Sequence, residues 1–113
     1  MSRPRPVTML VSYFPKKGKE SNLLRLIKKH WAVLNSEGLV SKMPPQVWRA
    51  TEKVTRRTYF VEIFQWKNDK ASGVAHQTSG VVAIWEPMGV VLDRMELAQI
   101  EPIRLGPEEP SDK

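Results

Sequence analysis

The side chains best suited to chemistry in this 113-residue chain gather around one stretch, WKNDKASGVAH, which runs from Trp66 to His76. An apolar run ends at Trp66, a short polar turn follows, and His76 arrives on a stretch of helical character. An imidazole beside an aromatic wall can act as a base, ligate a metal or hydrogen-bond a flat ligand. The same pair can also be architecture, with Trp66 plugging one end of the fold and His76 capping a short helix. Glu62 interrupts the otherwise apolar Tyr59–Trp66 run. Facing an enclosed interior, its carboxyl would be desolvated, its pKa raised and a general-base role opened to it. An ion pair with Arg49 or Lys53 of the neighbouring strand is the favoured alternative. The other histidine, His30, lies within the apolar arc of a predicted helix, where a hydrogen-bonded core or interface role is expected. The catalytic candidates are therefore His76, Glu62 and Arg49; the substrate-facing candidates are Trp66, Phe64, His76 and Phe60.

Other chemistries find no residues. There is no cysteine, so disulfides and thiolate ligands are absent. Two distant histidines without a nearby carboxylate cluster do not make a metal set. No phosphate loop, nucleophile elbow or His-based triad appears. No apolar run approaches the roughly 20 residues of a membrane span, and the opening MSRPRP lacks the apolar core of a secretory signal. A soluble cytoplasmic protein is the expectation. The net charge of +6 is unevenly spread: residues 1–57 hold 13 Lys/Arg against 3 Asp/Glu, and residues 58–113 hold 5 against 9. Much of the excess falls on the N-terminal segment, one loop and one helix face, which reads as a solvated surface.

The elements that must position these residues follow from periodicity. Residues 1–6 read as a flexible lead-in and 104–113 as a disordered tail, leaving a single domain over 7–103. VTMLVSYF (7–14) is β-rich and stops at Pro15. From about Ser21 to Glu37, Leu23, Leu24, Ile27, Trp31 and Leu34 fall on one helical arc, and Gly38 stands where a left-handed terminator belongs. QVWRATEKV and TYFVEIFQWK read as two strands around a link at Thr55–Arg57. Asn68 or Asp69 can cap a short helix, and a second helix begins near Ser79. Pro87 is expected to kink or restart that helix. ELAQIEPI (96–103) reads as a last strand.

The order β-α-β-β-α-β predicts an α+β fold, a ferredoxin-like βαββαβ plait with both helices on one sheet face. Alternation puts Phe60, Glu62, Phe64 and Trp66 on one side of the third strand, and Tyr59, Val61 and Ile63 on the other. One set packs under the helices and the other needs another cover.

The run Tyr59-Phe60-Val61-Glu62-Ile63-Phe64-Gln65-Trp66-Lys67, then Ala75-His76-Gln77-Thr78, then Trp85-Glu86-Pro87, resembles the antibiotic biosynthesis monooxygenase-like group of dimeric α+β barrels. The similarity spans about residues 7–103. It implies a homodimer whose bare sheet faces close a dimeric α/β barrel, with a cavity for a small apolar or aromatic molecule. Members include cofactor-free oxygenases of polycyclic aromatics, which implies no cofactor, as well as haem-degrading enzymes and many proteins with no assigned activity. A non-catalytic member whose barrel is filled by its own side chains is the contrary expectation. In the haem branch a tryptophan ends this strand and a histidine on the next helix ligates iron, places held here by Trp66 and His76. That branch also uses an asparagine on the first strand, where this chain reads Leu10-Val11-Ser12-Tyr13. The cofactor-free oxygenases draw on Asn, Trp and Arg; Trp66 and Arg49 match two, with no strand asparagine for the third. RNA-recognition plaits show aromatics on their third strand, and RRTYFVEI (56–63) echoes them. In register on Phe60 and Val61, however, the glycine position is Arg57 and the outer aromatic positions are Thr58 and Ile63.

Overall fold

A computed structural model describes residues 5–106. The lead-in expected over 1–6 and the tail expected over 104–113 lie largely outside those residues. The elements are β1 (Val7–Pro15), α1 (Glu20–Ser36), β2 (Gln46–Thr51), β3 (Thr58–Trp66), α2 (Ala71–His76), α3 (Ser79–Val91) and β4 (Leu92–Ile100). Every strand pairing is antiparallel and the sheet order is β2-β3-β1-β4. Each helical connection therefore passes over one intervening strand, as the plait requires. This is the predicted α+β architecture.

The helix α1 forms where the apolar spacing demands it: Leu23, Ile27, His30 and Leu34 make up its buried stripe. Each aliphatic member contributes about 1.5–3 kcal/mol by leaving water. Its end is fixed by backbone chemistry. Gly38 adopts φ +71°, Leu39 N–H donates to the Leu34 carbonyl at 3.0 Å, and Gly38 N–H donates to that of Asn35 at 3.0 Å. Leu34 and Leu39 are both buried, completing the apolar contact of this stop. A Cβ at Gly38 would meet nothing within 4 Å, so the backbone conformation alone opposes substitution. Gly38→Ala is expected to lower stability by roughly 1 kcal/mol, read as an earlier urea midpoint at unchanged slope.

Several boundaries differ from expectation. β2 ends at Thr51 rather than running to Val54, because the Glu52 carboxylate accepts the N–H groups of Val54 and Thr55 and folds the chain into a turn. Helix α3 runs unbroken through Pro87. Pro87 and Ala83 both lie on its exposed side, so the carbonyl freed by the missing N–H is open to water. β4 starts at Leu92 and ends at Ile100, not 96–103. The chain passes from α3 into the strand without a loop, and β1 sets the register from Pro15↔Leu92 to Thr8↔Ile100. Leu92 and Met95, which share a helical period with α3, are strand residues for that reason. Asn68 Oδ1 accepts the Lys70 N–H at 2.9 Å, while Lys70 itself stands at the cap of α2.

The two faces of the sheet are now assigned. Val11 and Tyr13 of β1 and Phe60, Glu62, Phe64 and Trp66 of β3 are buried with the apolar residues of the helices. The opposite face presents Leu10, Tyr59, Val61 and Ile63, each half-buried, and the exposed Trp48. Phe60 thus lies under the helices, unavailable for the base stacking that an RNA-recognition strand needs.

Candidate functional site

Between the helix-facing side of β1, β3 and β4 and the helices α2 and α3 lies a cavity of ≈ 340 Å³. Phe64, Trp66, His76 and Trp85 supply much of its aromatic wall, and Met88 and Met95 part of its aliphatic wall. Phe64 meets Trp66 edge-on at 4.9 Å. The exposed His76 ring packs 4.7 Å from that of Trp85. Sequence reasoning thus named three residues that line one cavity, Phe64, Trp66 and His76. Phe60 is buried in the core without lining it, and Arg49 stands on the outer strand β2 with its guanidinium 5.2 Å from the Phe60 ring centre.

Glu62 takes neither partner expected for it. The register sets Val47 opposite Glu62 on β2 and Arg49 opposite Phe60, while Lys53 lies beyond the end of the strand. Glu62 is instead wholly buried, and Tyr13, which lines the cavity, donates its hydroxyl to Oε1 at 2.6 Å. Burial pushes the Glu62 carboxyl up to about 7, against the opposing pull of the Tyr13 hydrogen bond. The Tyr13 phenol is raised well above its usual value by its own burial and then by the neighbouring carboxylate. Tyr13 escaped sequence reasoning. Only its register on β1, one alternate position from Val11, signals that it shares the face of Glu62.

His30 was expected in the core and is there, yet it also lines the cavity. Its Nε2 accepts the Trp85 indole N–H at 2.8 Å. Burial lowers its pKa to about 4, so the ring is neutral across the physiological range. Its Nδ1 has no hydrogen-bond partner among the described residues. Apart from Ser72 and His76 on α2, the cavity wall offers little polar surface, and neither lysine nor arginine contributes to it.

No protein-family model matches this chain, and no curated protein matches it by sequence. Solved structures do. A point mutant of SnoaB, a cofactor-independent oxygenase from Streptomyces nogalater, superposes with a TM-score of 0.69 at 16% identity, covering 91% of this chain and 98% of its own. An antibiotic biosynthesis monooxygenase gives 0.65 at 13% identity, with 87% and 99% covered. The Pseudomonas aeruginosa protein PA3566 gives 0.66 at 15% identity, with 92% and 100% covered. The chain has the antibiotic biosynthesis monooxygenase-like fold. Agreement over nearly whole chains at such low identity shows shared architecture, and the architecture alone.

Within this antibiotic biosynthesis monooxygenase-like fold the haem expectation can be tested on the residues themselves. An axial histidine needs an open slot for a macrocycle beside it. Here the His76 ring is packed against Trp85, beside an aromatic-walled space of only ≈ 340 Å³. These residues do not fit a haem. No group of three or more potential metal-ligating side chains occurs among the described residues, and no described helix is long and apolar enough to cross a membrane.

Proposed function

We propose that the cavity of each chain takes a small, flat, mostly apolar molecule, and that two copies pair through their open sheet faces into a dimeric barrel. The observation that carries the first part is the space itself. At ≈ 340 Å³ it falls within the range of about 300–1,000 Å³ typical of small-molecule sites, and aromatic rings form its wall. A domain serving only as structure would be expected to fill that volume with its own side chains. The second part is supported by the half-buried aliphatic surface of Leu10, Val61 and Ile63, which the helices on the far face cannot cover.

Titration with 1-acetylnaphthalene, followed by quenching of the tryptophans that line the cavity, tests the binding reading. Saturable quenching is expected. Gly89 lines the space and a Cβ there meets no atom within 4 Å, so Gly89→Leu should intrude on it and weaken binding about tenfold without a loss of stability. Absence of saturable quenching up to the solubility limit of the probe sinks the reading.

SnoaB brings a second reading, cofactor-independent oxygenation. On this chain it would be supported by an acid–base pair, Tyr13 at the cavity wall and the buried Glu62 behind it, with a carboxyl poised near neutrality to take up a substrate proton through the phenol. A methylene beside two aromatic rings would combine with dioxygen to give a ketone and water. Dioxygen uptake dependent on both enzyme and an activated aromatic, lost in Tyr13→Phe, is the expected result. No uptake above background removes oxygenation and leaves binding intact.

A further inference from the structure

Three segments meet at one end of the plait. The Lys16–Lys19 turn follows β1, with Gly18 at φ +79° and Lys19 N–H donating to the Lys16 carbonyl at 2.9 Å. The 52–57 turn joins β2 to β3, and its Arg57 guanidinium donates to the Pro15 carbonyl at 3.1 Å. The end of α3 is tied in by Lys16 N–H, which donates to the Val91 carbonyl at 2.8 Å. These hydrogen bonds hold the three segments together as one surface.

Residues 16–20 and 52–57 carry six cations, Lys16, Lys17, Lys19, Lys53, Arg56 and Arg57, against two carboxylates, Glu20 and Glu52. All six cations are exposed. Arg57 pairs with Asp93, but among the described residues no ion pair takes up the other five. Two aliphatic side chains stand beside them: Val54, in the second turn, is 86% exposed, and Val90 of α3 is 68% exposed. Arg56 holds φ +62°, a left-handed backbone that a glycine would adopt without strain. None of these features stabilises the chain: like charges repel, the valines stay wet and the arginine is strained.

Unopposed cations around aliphatic tips suit a surface with anionic headgroups above an apolar interior. A nucleic acid would meet the same charge, yet this end offers no free aromatic ring for a base to stack on. Phe14 and Tyr59 stack on each other at 4.7 Å, and the Arg94 guanidinium covers the Phe14 ring at 3.8 Å. The same end borders the cavity, because Gly89 and Leu92, which flank Val90 and Val91, line it.

We propose that this end of the molecule docks on an anionic lipid surface, its cations against the headgroups and Val54 and Val90 entering between them. The docking stands apart from the ligand-binding reading. Only its purpose, supplying an apolar molecule to the cavity rim at Gly89 and Leu92, rests on that reading.

Sedimentation with phosphatidylcholine vesicles containing about one-third phosphatidylserine tests the docking. Binding to these vesicles is expected, weakening as salt rises and absent with phosphatidylcholine alone. Each Lys or Arg near such a surface strengthens binding about fivefold, so the triple variant Lys16→Gln, Lys17→Gln, Lys53→Gln should bind about 100-fold more weakly. Val54→Ser should weaken binding about tenfold at unchanged charge. Val54→Trp supplies a positive readout: lipids spin-labelled near the headgroup should quench that variant beyond the wild-type level. All these positions are exposed, so urea unfolding should return wild-type stability for each variant. No sedimentation with the anionic vesicles at low salt, or sedimentation unchanged in either the triple variant or Val54→Ser, overturns the docking and leaves the cavity reading intact. Binding of single-stranded RNA by a protein that ignores the vesicles overturns it too and gives the cations to nucleic acid. Vesicle binding without quenching by 1-acetylnaphthalene upholds the docking and ends its supply role.

Discussion

Glu62→Gln should turn a nearly level stability profile into one that climbs with pH. Two buried titratable groups, Glu62 and His30, shape the profile. The Glu62 carboxyl titrates near 7 in the fold against 4.5 as the ordinary value. The folded state therefore holds a proton that the unfolded chain has released, so this group's contribution is intact below about pH 4.5 and is lost as pH rises to 7. His30 does the reverse. Its folded pKa of about 4, against 6.5, means that the unfolded chain holds the proton; stability is complete above pH 6.5 and is lost as pH falls towards 4. Each shift is worth about 3 kcal/mol at 1.36 kcal/mol per unit, with opposite sign over nearly the same window. Between pH 4.5 and 6.5 the two slopes offset one another. Removing the carboxylate exposes the histidine slope, a gain of about 3 kcal/mol from pH 4 to 6.5. His30→Gln exposes the other, a loss of similar size from pH 4.5 to 7. The amide introduced by Glu62→Gln occupies the place of an oxygen that has no partner, which adds a constant penalty but no slope. Urea unfolding at a series of pH values checks this directly. Parallel profiles for the wild type and Glu62→Gln would show that the carboxyl is not desolvated as described.

Ile63→Lys is the second large effect, and it acts on association. Ile63 pairs with Leu10 at the centre of the sheet, and Leu10 in turn with Ala98, so the three lie side by side on the open face. If a second copy covers that face, the new ammonium is buried with no carboxylate opposite it in its own strand pair. An unpaired buried charge costs about 3–5 kcal/mol, equivalent to a roughly 100- to 1,000-fold weaker dimer. Sedimentation should find the wild type at twice the 13.0 kDa chain mass at micromolar concentration and the variant at the single-chain mass. Since the cavity lies on the helix side of the sheet, the monomeric variant is expected to retain probe binding. A wild type that sediments as a single chain ends the dimer proposal without touching the cavity.

The sequence was informative wherever the signal is local. Apolar spacing and the left-handed Gly38 marked α1 and its end, because a helix repeats every 3.6 residues and its terminator sits beside it. Alternation along β3 sorted Phe60, Glu62, Phe64 and Trp66 into one set and Tyr59, Val61 and Ile63 into the other, because strand side chains alternate strictly. The succession of strands and helices then left one economical plait. Alternation does not say which set meets the helices, so the environment of Glu62 stayed open until the tertiary structure placed that set inward. Nor could local pattern supply the partners. Tyr13 reaches Glu62 across 49 positions and Trp85 reaches His30 across 55, and both meetings depend on strand register and helix packing. The same packing let α3 pass through Pro87 and let β1 claim Leu92 and Met95 for β4. Short-range periodicity determined the elements and the membership of their faces, while long-range pairing decided which face was buried and which polar groups met there.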